Sequence, residues 1–147
     1  MIDLLIIGGS GFIGKSLKDY HKGDENIKLV SYSRTENSNI LKIRKLPKIK
    51  SIIYCLKGEN LQISKSYFEH FEKLIEDQKT NIRILFMSSG AVYGYRKTKI
   101  KINESEKLTN KKIYQFKNFK TNYALEKIFL EKCFRKLGKK GFKVSIA

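Results

Sequence analysis

The chain has 147 residues, 41% of them hydrophobic and 12% aromatic, with 31 Lys and Arg residues against 14 Asp and Glu. This length is typical of one domain covering residues 1–147, and this apolar content excludes a chain that is disordered by composition. Two cysteines are too few for a disulfide scaffold. No apolar run approaches the roughly 20 residues of a membrane helix, and no basic leader precedes the first aliphatic run, so we expect a cytoplasmic protein without a membrane partner.

The formal net charge of +17 permits two interpretations. Only five of the basic residues are Arg, and richness in Lys, Ile and Asn is typical of A/T-rich codon use. A nucleic-acid-binding surface would instead cluster Arg and Lys among aromatic residues, and segments 96–101 and 111–112 come closest to such clusters. We therefore expect a mainly solvated basic surface and no nucleic-acid partner.

The apolar pattern predicts strands that alternate with helices. In chain order it predicts strand 2–7, helix 11–22, strand 27–33, strand 51–56, helix 61–78, strand 82–87, helix 120–137 and strand 142–146. The first helix is expected to place Ile13, Leu17 and Tyr20 on one side. Residues 40–50 alternate aliphatic and basic side chains around Pro47 and predict a short edge strand.

Alternating strands and helices indicate βαβ units and a parallel sheet. We therefore predict an α/β fold, a Rossmann-like doubly wound parallel sheet with helices on both faces. Ligands of such sheets bind beyond the carboxyl ends of the strands. Candidate functional residues are therefore expected in segments 8–14, 33–34, 56–58 and 88–94.

Three glycines, Gly8, Gly11 and Gly14, follow the first strand and open the first helix. Gly8 permits a tight turn, Gly11 lets the backbone approach a pyrophosphate, and Gly14 allows close packing of the helix. The free N–H groups and the positive end of the helix would then face the phosphates. This arrangement predicts a dinucleotide-binding loop, with an ordinary glycine-rich turn as the alternative.

The end of the second strand bears on the choice of cofactor. An acidic residue there would bind the ribose 2′-hydroxyl of NAD, whereas this strand ends in Ser33 and Arg34. Arg34 can pair with a 2′-phosphate, which favours NADP over NAD. The alternatives are a solvated Arg34 and an NAD-type contact from Glu36.

Two further motifs follow in register: Ser88-Ser89-Gly90-Ala91-Val92-Tyr93-Gly94 after a middle strand and Tyr123-Ala124-Leu125-Glu126-Lys127 on the last helix. With the glycine loop, they resemble the extended short-chain dehydrogenase/reductases, the NAD(P)-dependent epimerase/dehydratase family that acts mostly on nucleotide-sugars. The resemblance extends over the whole chain in the right order.

Tyr123 and Lys127 lie four residues apart, so they share one face of a helix. A phenol is a poor base at neutral pH, and a nearby ammonium favours its ionised form. Tyr123 could then exchange a proton with a substrate hydroxyl. The resemblance adds that Lys127 binds the nicotinamide ribose and that Ser89 orients the substrate oxygen. A surface Tyr/Lys pair is the alternative.

The resemblance implies an NAD(P)-dependent oxidoreductase or epimerase that uses Ser89, Tyr123 and Lys127 on a nucleotide-sugar. The residues expected to bind the cofactor are Gly8, Gly11, Phe12, Ile13, Gly14, Ser33, Arg34, Leu56 and Lys127. The alternative functions are a non-catalytic dinucleotide-binding or redox-sensing module of the same fold and, less favoured, a nucleic-acid-binding protein.

Several features of the chain depart from the family pattern. Gly90 and Ala91 stand where sugar 4,6-dehydratases of the family carry an Asp-Glu pair, which argues against dehydration. Glu126 precedes the predicted catalytic lysine, where the family often has Ser. The chain stops within the expected sixth strand, so we expect that the C-terminal substrate domain is lacking, and that a complementing chain or a homodimer is a possible partner.

The remaining candidate residues predict no metal site. His21 and His70 lie on predicted helices without metal-type spacing and are expected at the surface. Cys55 falls inside a predicted strand and Cys133 on an amphipathic helix, and both are expected to fill apolar space.

Overall fold

The computed structural model describes residues 1–35, 38–76, 78, 81–93 and 119–147, and of residues 119–121 the backbone alone. The strands are β1 (Ile2–Ile7), β2 (Leu29–Tyr32), β3 (Ile49–Tyr54), β4 (Arg83–Phe86) and β5 (Lys143–Ile146). The α-helices in the described ranges are α1 (Phe12–Tyr20), α2 (Leu61–Glu76) and α3 (Phe119–Lys139). The candidate NAD contact Glu36, the motif residue Gly94 and the basic segments 96–101 and 111–112 lie outside the described residues.

The five strands form one parallel sheet in the order β2-β1-β3-β4-β5. Leu5, Ile52 and Ile84 lie in register across β1, β3 and β4. The chain runs from β1 outward to β2 and then returns to β3 on the other side of β1. The strand order therefore reverses between β1 and β3, the position where parallel sheets of this type bind ligands. The predicted fold class is confirmed.

One face of the sheet carries the main hydrophobic core, which α2 and α3 cover. Its centre is Phe134 of α3, which is 0% exposed. The rings around it belong to strands β3 and β4 and to α2, and are Tyr54, Phe68, Phe71 and Phe86. The ring of Phe86 stacks on that of Phe134 with centroids 4.5 Å apart. These aromatic contacts fix α3 on the sheet.

The opposite face is covered less completely. The right-handed β1–α1–β2 crossover directs α1 to this face, yet Gly14 is the buried residue of that helix. Strand residues that alternate with the core positions, such as Leu4, Ile53 and Leu85, are half-buried. Tyr20, predicted to share one side of α1 with Ile13 and Leu17, is 82% exposed, so that side does not bury its tyrosine.

The predicted edge strand over residues 40–50 is also wrong. Ile40–Lys42 form a short 3-10 helix, and the next strand begins only at Ile49. Side chains of α2 and of the turn after it take the carbonyl groups that a neighbouring strand would use. His70 Nε2 donates to Ile43 O at 2.9 Å, and Gln78 Nε2 donates to Leu46 O at 3.1 Å. His70 is consequently part-buried and not a surface residue.

In the described part of the chain, none of the helices is long and apolar enough to span a bilayer. Within the same ranges, no three His, Cys, Asp or Glu residues group as metal ligands.

Replacing Phe134 by Ala tests the core. The loss of a fully buried ring should lower the free energy of unfolding by about 3–5 kcal/mol. Phe12→Ala is a matched control because Phe12 is 89% exposed, and it should change that free energy by about 0.5 kcal/mol or less. Urea unfolding measures both, and equal losses in the two variants would contradict this packing.

Candidate functional site

The turn from β1 into α1 is built on close backbone contacts. Gly8 has φ +107°, a conformation that L side chains rarely adopt. A Cβ on Gly8 would lie 2.7 Å from Leu56 N, and one on Gly14 would lie 2.3 Å from Gly8 O. Gly8 N also donates to Tyr32 O at 2.7 Å. The turn is therefore fixed against the carboxyl ends of both β2 and β3, and only glycine fits at these two positions.

Gly11 has a different environment. A Cβ there would meet one neighbour, Gly8 O, at 3.4 Å, and Gly11 itself is exposed. It is the N-cap of α1 and provides no side-chain cap. The first N–H groups of a helix have no partner inside the helix. The N-terminal end of α1 therefore offers backbone donors to the space in front of it.

A cavity of about 370 Å³ lies in front of this turn, at the carboxyl ends of β1, β3 and β4. Its lining comes from the glycine loop, the ends of β2, β3 and β4, and α3. The lining residues are Gly8, Ser10, Gly11, Phe12, Ile13, Gly14, Arg34, Cys55, Leu56, Lys57, Met87, Ser88, Tyr123 and Lys127. The structure thus brings eight of the nine predicted cofactor-binding residues to one cavity, Ser33 being the exception.

Helix α3 places Tyr123 and Lys127 on the wall opposite the glycine loop. Lys127 is 4% exposed, and its Nζ donates to Met87 O at 2.8 Å. The same Nζ lies 5.7 Å from the centroid of the Tyr123 ring and 5.0 Å from that of Phe86. The ammonium is thus held between the end of β4 and the tyrosine by a hydrogen bond and two ring contacts.

The electrostatic surroundings of Lys127 are unusual for a lysine. Burial lowers the pKa of its ammonium, and the negative charge of Glu126 opposes that effect. Cys55, on the same cavity wall, donates from Sγ to Ile7 O at 3.3 Å, and burial raises the pKa of its thiol. Cys55 lies beyond the end of β3 and lines the cavity, so the prediction that it only fills apolar space is wrong.

The segment after β4 places its two serines differently. Ser88 lines the cavity, and its Oγ donates to Glu131 Oε1 at 2.6 Å. Ser89, the predicted catalytic serine, is half-buried and is not among the lining residues. Its Oγ accepts a hydrogen bond from Ala91 N at 3.3 Å. The role of Ser89 stays a prediction.

Ser33 and Arg34, the two residues that follow β2, have different environments. Ser33 is 2% exposed, and its Oγ bonds the hydroxyls of Thr35 and Ser38 at 2.7 and 2.6 Å. It stabilises the turn after β2 and does not line the cavity. Arg34 is exposed and lies at the cavity wall. The structure therefore presents the guanidinium, and not the serine hydroxyl, to a cavity occupant.

A second cavity of about 370 Å³ adjoins the first. It is lined by Lys57, Glu59, Asn60, Leu61, Gln62, Asn122, Tyr123, Leu125 and Glu126. Lys57 and Tyr123 line both cavities, so the tyrosine stands where the two spaces meet. The Lys57 Nζ lies 5.2 Å from the centroid of the Tyr123 ring.

Ser10 and Lys57 lie within the predicted segments 8–14 and 56–58, although neither was predicted individually as a cofactor-binding or catalytic residue. Glu131, by contrast, was not predicted from the sequence. Glu131 carried one usable signal, because it lies four residues after Lys127 and therefore on the same helix face. Its part-buried hydrogen bond with Ser88 joins residues 43 positions apart, and sequence spacing carries no information about such a contact.

Gly14→Ala tests the geometry of the turn. The added Cβ would meet backbone atoms that cannot rotate away, so we expect unfolding free energy to fall by about 1–3 kcal/mol. Gly90→Ala is the matched control because a Cβ there meets nothing within 4 Å. Urea unfolding should show little change in the control, and equal losses in the two variants would contradict the contact of Gly14 with Gly8.

Comparisons with known proteins agree on the fold. No family model and no curated protein matches this sequence. Among solved structures, RMD from Pseudomonas aeruginosa, complexed with NADPH, matches with a TM-score of 0.68 and 20% identity over 99% of this chain and 52% of its own. The NAD-dependent NDP-hexosamine 5,6-dehydratase TunA, involved in tunicamycin biosynthesis, matches with a TM-score of 0.74 and 17% identity over 99% and 54%.

A third similar structure is UDP-glucose 4-epimerase from Bifidobacterium longum in complex with NAD⁺ and UDP. Its TM-score is 0.67, with 15% identity over 98% of this chain and 52% of its own. The chain thus spans about half the length of these three proteins. The structural neighbours include NAD(P)-dependent epimerases and dehydratases, as the motif resemblance predicts. At these identities the likeness establishes that the chain has their Rossmann-like fold.

Proposed function

We propose that the chain binds a nicotinamide dinucleotide in the cavity beside the glycine loop. Gly8 and Gly14 are required by packing, whereas a Cβ on exposed Gly11 would meet only Gly8 O, at 3.4 Å. The missing side chain of Gly11 would let a phosphate approach the backbone. The N-terminal amides of α1 are suited to bind the pyrophosphate. Solved structures of similar fold that contain bound NADPH or NAD support this assignment.

We propose NADP as the preferred form of the cofactor. Arg34 is an exposed cation on the wall of the cavity at the end of β2. This is the end of the sheet where a 2′-phosphate would lie, and a guanidinium can bind it through two parallel hydrogen bonds.

We propose further that the protein is an oxidoreductase or epimerase of a nucleotide-sugar. One observation carries this proposal: Tyr123 and Lys127 meet on the wall of the same cavity as the glycine loop. A purely dinucleotide-binding or redox-sensing module, the alternative, has no need for an acid–base pair there. The fold neighbours that act on nucleotide-sugars support the same assignment.

The residues have distinct proposed roles. Hydride transfer is the chemistry that a bound nicotinamide cofactor supplies at this site. Tyr123 exchanges a proton at its phenolic oxygen with a substrate hydroxyl or carbonyl oxygen. The buried ammonium of Lys127, 5.7 Å from the centroid of the Tyr123 ring, is placed to bind the cofactor ribose. Ser89 is proposed to orient the substrate oxygen, with the substrate entering from the second cavity, on whose wall Tyr123 also stands.

Titration with NADPH and NADH, followed by nucleotide fluorescence, tests cofactor binding. We expect NADPH to bind more tightly than NADH. Arg34→Asp should lower the affinity for NADPH by about tenfold or more, because a charged hydrogen bond is lost. NADH affinity should change much less in this variant. Equal losses for both nucleotides would contradict the NADP assignment, and binding of neither nucleotide at millimolar concentration would contradict the cavity assignment.

Tyr123→Phe tests catalysis. The assay includes the expected substrate-binding part, as a longer protein or as a complementing chain. With NADPH and a nucleotide-linked keto-sugar, we expect turnover to fall by about 100-fold or more in Tyr123→Phe, because proton transfer at the phenolic oxygen is lost. NADPH affinity should stay nearly unchanged. Tyr20→Phe is the matched control, since Tyr20 is 82% exposed. Turnover retained in Tyr123→Phe would contradict the acid–base role and favour the non-catalytic alternative.

A further inference from the structure

The proposed chemistry uses neither of the two buried carboxylates of α3, Glu126 and Glu131, and Glu126 is the one that bonds the segment after β3. Glu126 is 2% exposed, and its Oε1 accepts hydrogen bonds from Ser64 Oγ at 2.7 Å and from Gly58 N at 3.3 Å. Gly58 N also donates to Ser64 Oγ at 2.8 Å. Three groups from α3, α2 and the segment between β3 and α2 thus form one closed set of hydrogen bonds. A buried carboxylate requires such partners, because burying an unpaired charge is costly.

This set holds the segment that follows β3. A Cβ on Gly58 would lie 2.4 Å from Ser64 Oγ and 2.6 Å from Ser64 N, so the close contact requires glycine. The two preceding residues, Leu56 and Lys57, line the proposed dinucleotide cavity. Glu126 therefore anchors a wall of that cavity from its far side.

The anchored segment also bears a cation. Lys57 Nζ lies 5.2 Å from the Tyr123 ring centroid, and Lys127 Nζ lies 5.7 Å from it. Two ammonium groups from different elements thus approach one phenol. Glu126 lies beside Lys127 in the chain, and both side chains are nearly fully buried.

We propose that Glu126 is a positioning residue for the acid–base pair. It holds the Lys57 segment against Tyr123 through Gly58 and Ser64, and it balances the positive charge of Lys127. The inference rests on the proposed roles of Tyr123 and Lys127.

The direction of a charge effect follows from the groups that face Lys127. Burial lowers the pKa of the Lys127 ammonium, and Lys57 acts in the same direction. Glu126 and Cys55 act in the opposite direction. The pKa of Lys127, already depressed in the folded chain, should fall further when Glu126 loses its charge. The ammonium, and any cofactor contact that it makes, would then be lost at a lower pH.

NADPH affinity measured as a function of pH tests this effect. We expect Glu126→Gln to move the alkaline loss of affinity to lower pH, whereas Lys127→Met should remove that pH-dependent loss. Glu72→Gln is the control: it also removes a helix carboxylate, one that pairs with Lys140 Nζ at 2.9 Å and is not among the lining residues of either cavity. This control should lose its affinity for NADPH at the same alkaline pH as the unmodified chain.

Glu126→Ala separates positioning from charge. The amide oxygen of Gln can still accept from Ser64 and Gly58, whereas Ala cannot. At neutral pH we expect Glu126→Ala to lower the affinity for NADPH by about tenfold. Glu126→Gln should keep most of that affinity.

The outcomes distinguish this inference from the proposed function. An unmodified chain that fails to bind NADPH contradicts the proposed function itself. If the unmodified chain binds NADPH, the role of Glu126 alone is contradicted when Glu126→Gln leaves the alkaline loss of affinity at the same pH, or when Glu72→Gln shifts it equally. These comparisons use variants that keep the hydrogen-bonding atoms, so they hold even where Glu126→Ala folds poorly.

Discussion

The close contact between the glycine turn and the end of β3 is the constraint on which the site depends. Gly8 lies so near the backbone of residues 55–56 that no Cβ fits between them. A Cβ on Gly14 would likewise lie too close to the carbonyl oxygen of Gly8. These contacts hold the N-terminal end of α1 over the point where the strand order reverses. The cavity exists because backbone, and not side chains, occupies this point.

Helix α3 carries the proposed acid–base pair, and its buried charged residues bond the segments beside that pair. Phe134 fixes the helix on the sheet, and the ring contacts around it are extensive. One turn of the same helix then brings Tyr123 and Lys127 to the cavity. Two buried carboxylates, Glu126 and Glu131, bond the segments after β3 and β4 respectively. A single well-packed helix thus sets the positions of both walls that flank the proposed acid–base pair.

The apolar pattern of the sequence predicted most of the fold. It failed where contacts between distant parts of the chain decided the local structure. Aliphatic runs identified the strands because parallel strands buried on both faces read as continuous apolar segments. The alternation in residues 40–50 looked like a strand, but His70 and Gln78 from the α2 region bind carbonyl groups of that segment. Ser33 follows β2 as predicted, yet neighbouring hydroxyls satisfy its own.

The sequence predicted most of the residues that line the cavity, but not the buried residues that hold them in place. Glycine spacing and a helical Tyr/Lys pair are local signals, so eight of nine cofactor-binding predictions lie at the cavity. Glu126 and Ser64 lie 62 positions apart in the chain, and their contact depends on how α2 and α3 pack. A substitution relative to the family pattern marked Glu126, but only the structure gives it partners.

The central claim is that NADPH binds at the glycine turn and not merely to a chain of net charge +17. Hydrogen–deuterium exchange with and without NADPH tests this most directly. The account predicts slower exchange of the amides in segments 8–14 and 55–58, with segment 22–28 at the other end of the sheet unchanged. Protection spread over exposed lysine-rich surface, with none in segment 8–14, would contradict it.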